Sequence, residues 1–219
     1  MALVAIIVLA ALIVGFVARG SLRNFERIQI HWWAVALVGL VLQAIPVPAR
    51  DGTRWAVGLL LASYVLLIAF VWVNRRLPAA PLILAGLLLN AVVIAANQGM
   101  PVSGSAIVTS GGSDVIVASG DAKHHLMTDE DVLTWFADVI PVPPPIRAIV
   151  SIGDVLLYSG VAGFVVMVMT GRFEANRRPK ARLQRYRGKH LRTERRVHHR
   201  GEVPQQDPRT AAMRSGTAP

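Results

Sequence analysis

Five long apolar stretches constrain this sequence more than anything else in it: 2–18, 30–47, 56–73, 80–96 and about 149–170. A bilayer hydrocarbon core of ~30 Å takes about 17–25 apolar residues in helical form. Each stretch is apolar on every face, so none reads as an amphipathic surface helix. Lipid offers the backbone no hydrogen-bond partners, which leaves the α-helix as the way for such a segment to cross. The pattern predicts an all-α membrane protein with five transmembrane helices. The first and fourth stretches are short and imply modest local thinning of the bilayer. Composition agrees. Hydrophobic residues make up 53% and charged residues 16%, against about 25% charged in a soluble domain. That excludes an ordinary soluble globule and a disordered chain. The chain has no cysteine, which excludes a disulfide scaffold, a thiolate nucleophile, a cysteine-ligated metal and an iron–sulfur cluster.

Charge sets the expected orientation. A secretory signal carries basic residues before its apolar core. Here Arg19, Arg23 and Arg27 follow the first stretch, so it reads as a retained span with its N-terminus outside. Arg75 and Arg76 fall between the third and fourth stretches, and residues 172–219 hold fourteen basic residues. One side therefore carries nineteen of the 23 basic residues, leaving Arg50, Arg54, Lys123 and Arg147 for the other. The positive-inside bias predicts N-out, C-in across five spans of a cell (inner) membrane. Trp32, Trp33, Trp55 and Trp72 lie near predicted span ends, where amphipathic rings prefer to sit. The net charge of +10 belongs wholly to the tail, since residues 1–171 balance nine basic against nine acidic residues. Two regions are expected: a membrane domain over 1–170, and a basic, largely disordered cytoplasmic tail over 171–219.

Residues 97–148 form the one long segment outside the spans before the tail, and the charge argument makes it an outward cap. β-branched runs at 105–110 and 113–119 flank Gly111-Gly112 and predict a small hairpin. Thr128 and Asp131 have capping-box spacing, with Leu133, Phe136 and Ile140 at helical intervals, so a short interfacial helix is expected to about Val139. Pro141-Val-Pro-Pro-Pro145 predicts a stiff, extended connector into the last span.

Chemistry-bearing side chains concentrate in and beneath that cap. Asp154 starts the last apolar run. Ser151 and Asp154 have capping-box spacing, which makes the acid a helix cap. The other reading is a buried acid with a functional or inter-helix role, because carboxylates in the membrane are costly. Asn90 and Asn97 are seven residues apart and share a helix face, with Gln98 adjacent and Gln43 on the second span. They serve helix–helix hydrogen bonds or line a polar cavity. Lys123-His124-His125 places its histidines on opposite faces of an extended strand, a poor metal site unless Asp121 or Asp138 folds in. Asp138 and Asp154 could form a dyad. Ile152-Gly153-Asp154 loosely resembles the Gly-x-Gly-Asp element of intramembrane aspartic peptidases, but Ser151 stands at the first glycine and Asp138 lies outside any span. The candidate outward polar site is therefore Asn97, Gln98, Lys123, His124, Asp138 and Asp154. No cofactor or metal is expected. The basic segment 172–200 is expected to bind anionic lipid headgroups. Nucleic acid is a poor fit, because beyond Tyr186 no aromatic platform accompanies the charge.

Four motifs together resemble an uncharacterised bacterial family of small multi-pass membrane proteins, a domain of unknown function. They are Asn97-x-Gly-Met-Pro-Val-Ser103, Lys123-His-His-Leu-Met127, Asp138-Val-Ile-Pro-x-Pro143 and Ser151-Ile-Gly-Asp154-Val-Leu. The resemblance covers about residues 1–170. It implies a bacterial inner-membrane component whose outward half is its characteristic part, and supplies no activity. Two functions follow as expectations. One is a non-enzymatic membrane component or accessory subunit, because no catalytic constellation is complete. The other is an outward-facing site that binds or modifies a small molecule or lipid. Whether the protein is an enzyme stays open at this point.

Overall fold

The computed structural model describes residues 2–45, 53–111 and 123–172. Six α-helices occur among them: α1 (Ala2–Val17), α2 (Trp33–Ala44), α3 (Thr53–Val73), α4 (Ala80–Asn97), α5 (Gly104–Thr109) and α6 (Ile152–Met169). Four short strands stand beside them: β1 (Met100–Val102), β2 (His124–Leu126), β3 (Ile140–Val142) and β4 (Ala148–Val150). Three helices are long and apolar enough to cross a membrane: Arg54–Val73, Ala80–Asn97 and Ile152–Met169. Leu3–Val17 and Trp33–Ala44 are apolar but shorter. The second helix starts later than the apolar run that predicts it. Residues 28–32 lie outside any helix, with Trp32 left-handed (φ 61°) at the cap of α2, and Asn74 just after α3 clamps this stretch. Its Nδ2 donates to His31 O at 2.8 Å and its Oδ1 accepts from His31 N at 3.0 Å.

The long helices pack in the order α2, α3, α4, α6, α1, so the last helix slots between the first and the fourth. One cluster joins α3 and α4 through Leu60, Leu67, Val71, Leu87, Val93 and Ile94, and the cap adds Met100 and Ala137 to it. A second joins α1 and α6 through Ala11, Val165 and Met169. There Phe25 meets Phe164 edge-on, with ring centroids 6.2 Å apart. Glycine lets α4 and α6 touch. A Cβ on Gly86 would lie 2.7 Å from Leu157 N, one on Gly160 would lie 2.8 Å from Ile83 N, and one on Gly153 would overlap Asn90 Oδ1. Small residues at a crossing let backbones approach in this way. The outward-turned faces remain apolar. Leu9, Ile13 and Phe16 on α1 and Leu37, Leu40 and Val41 on α2 are more than half exposed, and α2 buries only Gly39.

The segment over α3, α4 and α6 departs from expectation in three places. Residues 104–109, expected as the first strand of a hairpin, form α5, with Thr109 Oγ1 donating to Ser105 O. Its buried side, Ala106 and Ile107, selects a helix over a strand. The partner run 113–119 lies outside the described residues. Second, the interfacial helix over 128–139 is absent. Asp131 Oδ2 accepts from Thr128 N at 2.7 Å, but this closes a turn, and Leu133 goes left-handed (φ 57°) before a three-residue 3-10 turn at Thr134–Phe136. Third, the proline connector is itself a hairpin: β3 and β4 pair antiparallel, with Pro141 opposite Ile149. β1 pairs parallel with β2, Pro101 opposite His125, and Val102 bridges Asp138 on its other side. At the end of α4 the left-handed capping residue is Gln98 (φ 54°), not Gly99. Gly99 is needed beside it because a Cβ there would sit 3.0 Å from His125 Nδ1.

Candidate functional site

The β3–β4 hairpin delivers Ser151 in extended conformation to the start of α6. Ser151 Oγ accepts from Asp154 N at 2.9 Å, and Asp154 Oδ2 accepts from Ser151 N at 3.1 Å, a complete capping box. The carboxylate does more than cap. Its other oxygen, Oδ1, accepts from Asn90 Nδ2 on α4 at 2.8 Å. Asn90 Oδ1 in turn accepts from Ser151 Oγ at 2.9 Å. Asn90 is 1% exposed and fully engaged. Half-buried Asp154 therefore combines the cap of the first reading with the inter-helix contact named in the second. It caps its own helix and ties that helix to its neighbour, and the close approach at Gly153 makes this reach possible.

Asp138 comes to the same place from above. Its backbone is stitched to β1, with Asp138 N donating to Pro101 O at 3.1 Å and Ser103 N donating to Asp138 O at 2.9 Å. Its side chain is 7% exposed, and its Oδ1 is buried with no hydrogen-bond partner among the described residues. Burial pushes this carboxyl up to about 7. The charge of Asp154 adds to the rise and His124 opposes it. Tyr64 on α3 and Tyr158 on α6 are coupled electrostatically to both aspartates. Four elements thus converge on an acidic, tyrosine-lined site beneath the cap. Near neutral pH one of its acids is balanced between its protonated and ionised forms.

The other expected site residues go elsewhere. Lys123, 5% exposed, directs two of its three donors to Gln43 O at 2.7 Å and Ile45 O at 2.6 Å, and so caps the carbonyl end of α2. Gln43 contributes its main-chain oxygen to this contact. Asn97 binds the Val132 backbone in both directions, through Nδ2 to O at 2.9 Å and through Oδ1 from N at 2.8 Å. Gln98 is an exposed cap residue. His124 is half-buried near Asp138, whereas His125 Nε2 pairs with Asp131 Oδ1 at 2.9 Å. Burial raises the Asp131 carboxyl, but the Thr128 N–H and His125 outweigh it and hold the group below the usual carboxylate range. Among the described residues no group of three or more His, Asp or Glu is arranged to hold a metal ion. Reasoning from sequence missed Tyr64 and Tyr158. Their signal was a phenol inside an apolar run, since a buried Tyr hydroxyl needs a polar neighbour.

Residues 27–166, which take in α2, α3, α4, most of α6 and this site but not α1, match one protein family. The chain belongs to the family of unknown function DUF5317. The matched stretch takes in Asn90, Asp138 and Asp154 and leaves out the basic tail. Beyond the family, the DUF5317 chain is similar to an uncharacterized protein of Thermotoga maritima. The two are 28% identical over 158 residues, covering 71% of this chain and 84% of the other. No solved structure matches it.

Proposed function

We propose that this DUF5317 protein is a five-span component of the bacterial inner membrane, N-terminus out and C-terminus in, with a non-enzymatic role alongside other membrane proteins. One observation carries the reading. The polar side chains that mark the cap are committed to the protein's own backbone and helix ends: Asn97 to Val132, Lys123 to the end of α2, Asp154 to its capping box and Asn90. Residues used this way build a rigid cap and do not form a nucleophile–base–oxyanion set. The exposed apolar faces of α1 and α2 support the partner role, because the described residues leave those faces uncovered. The short lengths of α1 and α2 are compatible with spanning where the bilayer thins or a neighbouring protein shields them. The tail's fourteen basic residues fit a cytoplasmic leaflet of anionic lipid. Purification of the full chain in a mild, lipid-preserving detergent should yield a stoichiometric membrane-protein partner, reduced by polar substitutions at Leu37 and Val41. A chain that always runs alone in lipid nanodiscs would sink the idea.

A second reading has its own support. Asp138 is the exception among the cap's polar groups, because its Oδ1 is buried and unpartnered. That supports an outward-facing binding site centred on Asp138, with Asp154 and His124 near it, while Asn97, Gln98 and Lys123 hold the surrounding cap in place. In that case Asp138→Ala and Asp154→Ala should each abolish the cellular role while the protein still accumulates. Normal behaviour of both variants would remove this reading.

A further inference from the structure

We propose that Asp138 and Asp154 form a proton-binding pair beneath the cap, holding one proton on Asp138, and that losing this proton to water loosens the strand that joins Asp138 to β1. The proposal stands on where the groups lie and does not depend on a membrane partner.

Four observations carry it. Asp138 is 93% buried and its Oδ1 has no partner among the described residues, so an ionised carboxylate there lacks the donors that stabilise a buried charge. Asp154, by contrast, has donors on both oxygens, Asn90 Nδ2 on Oδ1 and Ser151 N on Oδ2. Among the described residues, the groups that interact electrostatically with Asp138 are Asp154 and Tyr158 on α6, Tyr64 on α3 and His124 on β2. Of these, only His124 can offer positive charge. The Asp138 carboxyl rises to about 7, through burial first and Asp154 second. Finally, the mechanical link is slight. Asp138 meets β1 through two main-chain hydrogen bonds, to Pro101 O and from Ser103 N. When the proton leaves Asp138 for water, a negative charge appears on a buried carboxylate with no donor on Oδ1, in a medium that screens it poorly. Those two bonds, which make up the Val102–Asp138 bridge, are the contacts that give way.

The test uses the full chain in nanodiscs, read by infrared spectroscopy and by amide hydrogen exchange. The carbonyl band of a protonated carboxyl group should be present at about pH 5 and fade with a midpoint near 7. Asp138→Asn should delete this band. Asp154→Asn should keep the band and lower its midpoint by about one pH unit, because a neighbouring negative charge has gone. Exchange at 100–103 and 137–139, corrected for its intrinsic pH dependence, should rise about tenfold between roughly pH 5 and pH 8. In Asp138→Asn it should stay flat. A band that survives Asp138→Asn, or a midpoint indifferent to Asp154→Asn, overturns the pair. Cap exchange with the same profile in wild type and Asp138→Asn overturns the coupling. Should Asp138→Asn fail to fold, the wild-type titration and the Asp154→Asn shift decide the pair by themselves, and no titrating band near 7 sinks it.

Discussion

Asn90 shows how much one buried amide can organise. Its two side-chain atoms answer one oxygen of Asp154 and the hydroxyl of Ser151, both on another helix. Asn90→Ala leaves those two groups buried without their partner, at a cost of about 1–3 kcal/mol. Thermal unfolding in detergent should show the loss, and an unchanged midpoint would mean that water replaces the amide. Two aspartates of the cap respond to pH with opposite signs. Asp138 has a native pKa near 7 against 3.8 for the free group. Between those values the native state binds more protons than the unfolded one. Its contribution to stability is therefore complete in acid and declines as pH rises from about 4 to about 7. Asp131 is held below its ordinary value. Its contribution is present above the unfolded pKa and is lost as pH falls through the lower native one. Unfolding midpoints measured across pH should therefore rise in Asp138→Asn relative to wild type on the neutral side. Asp131→Asn should differ from wild type only by a loss that disappears in strong acid.

At the scale of elements, α4 and α6 depend on three glycines, because each backbone occupies the space a side chain would fill on the other. Gly153→Ala would drive a methyl group into Asn90, and Gly86→Ala would drive one into the Leu157 backbone. Both should break the α4–α6 contact and yield polydisperse protein on size-exclusion chromatography. Gly163→Ala is the control. Its methyl meets only Ala79 Cβ at 3.5 Å, an ordinary contact, and it should elute like wild type. The elements also show where sequence patterns mislead. β-branched residues at 105–110 favour a strand locally, yet Ala106 and Ile107 find a buried side as a helix. The capping-box spacing of Thr128 and Asp131 forms the expected hydrogen bond, but no helix follows, because Asn97 clamps Val132 and Leu133 turns left-handed. The same spacing at Ser151 and Asp154 does start a helix, because it opens a largely apolar eighteen-residue run that packs on two neighbours.

For the whole molecule, the proposed orientation makes a direct prediction. Reporter fusions after residues 78 and 200 should be active only in the cytoplasm, and fusions after residues 48 and 120 only outside it. Reversal of either pair would overturn the N-out, C-in arrangement. What the sequence determined alone was the apolar helices, a charge-balanced stretch over 1–171 against a basic 172–219, and the capping-box spacing of Ser151 and Asp154. These follow from hydrophobic run length, net charge and local spacing, which need no knowledge of neighbours. The tertiary structure decided the rest: that Asn90, Tyr64, Asp138 and Asp154 meet, that Lys123 caps α2, and that the cap's hairpin lies at 140–150. Those outcomes turn on which helix packs on which, and on the space left by Gly86 and Gly153. Residues 64 positions apart meet only when the backbones between them have already come within touching distance.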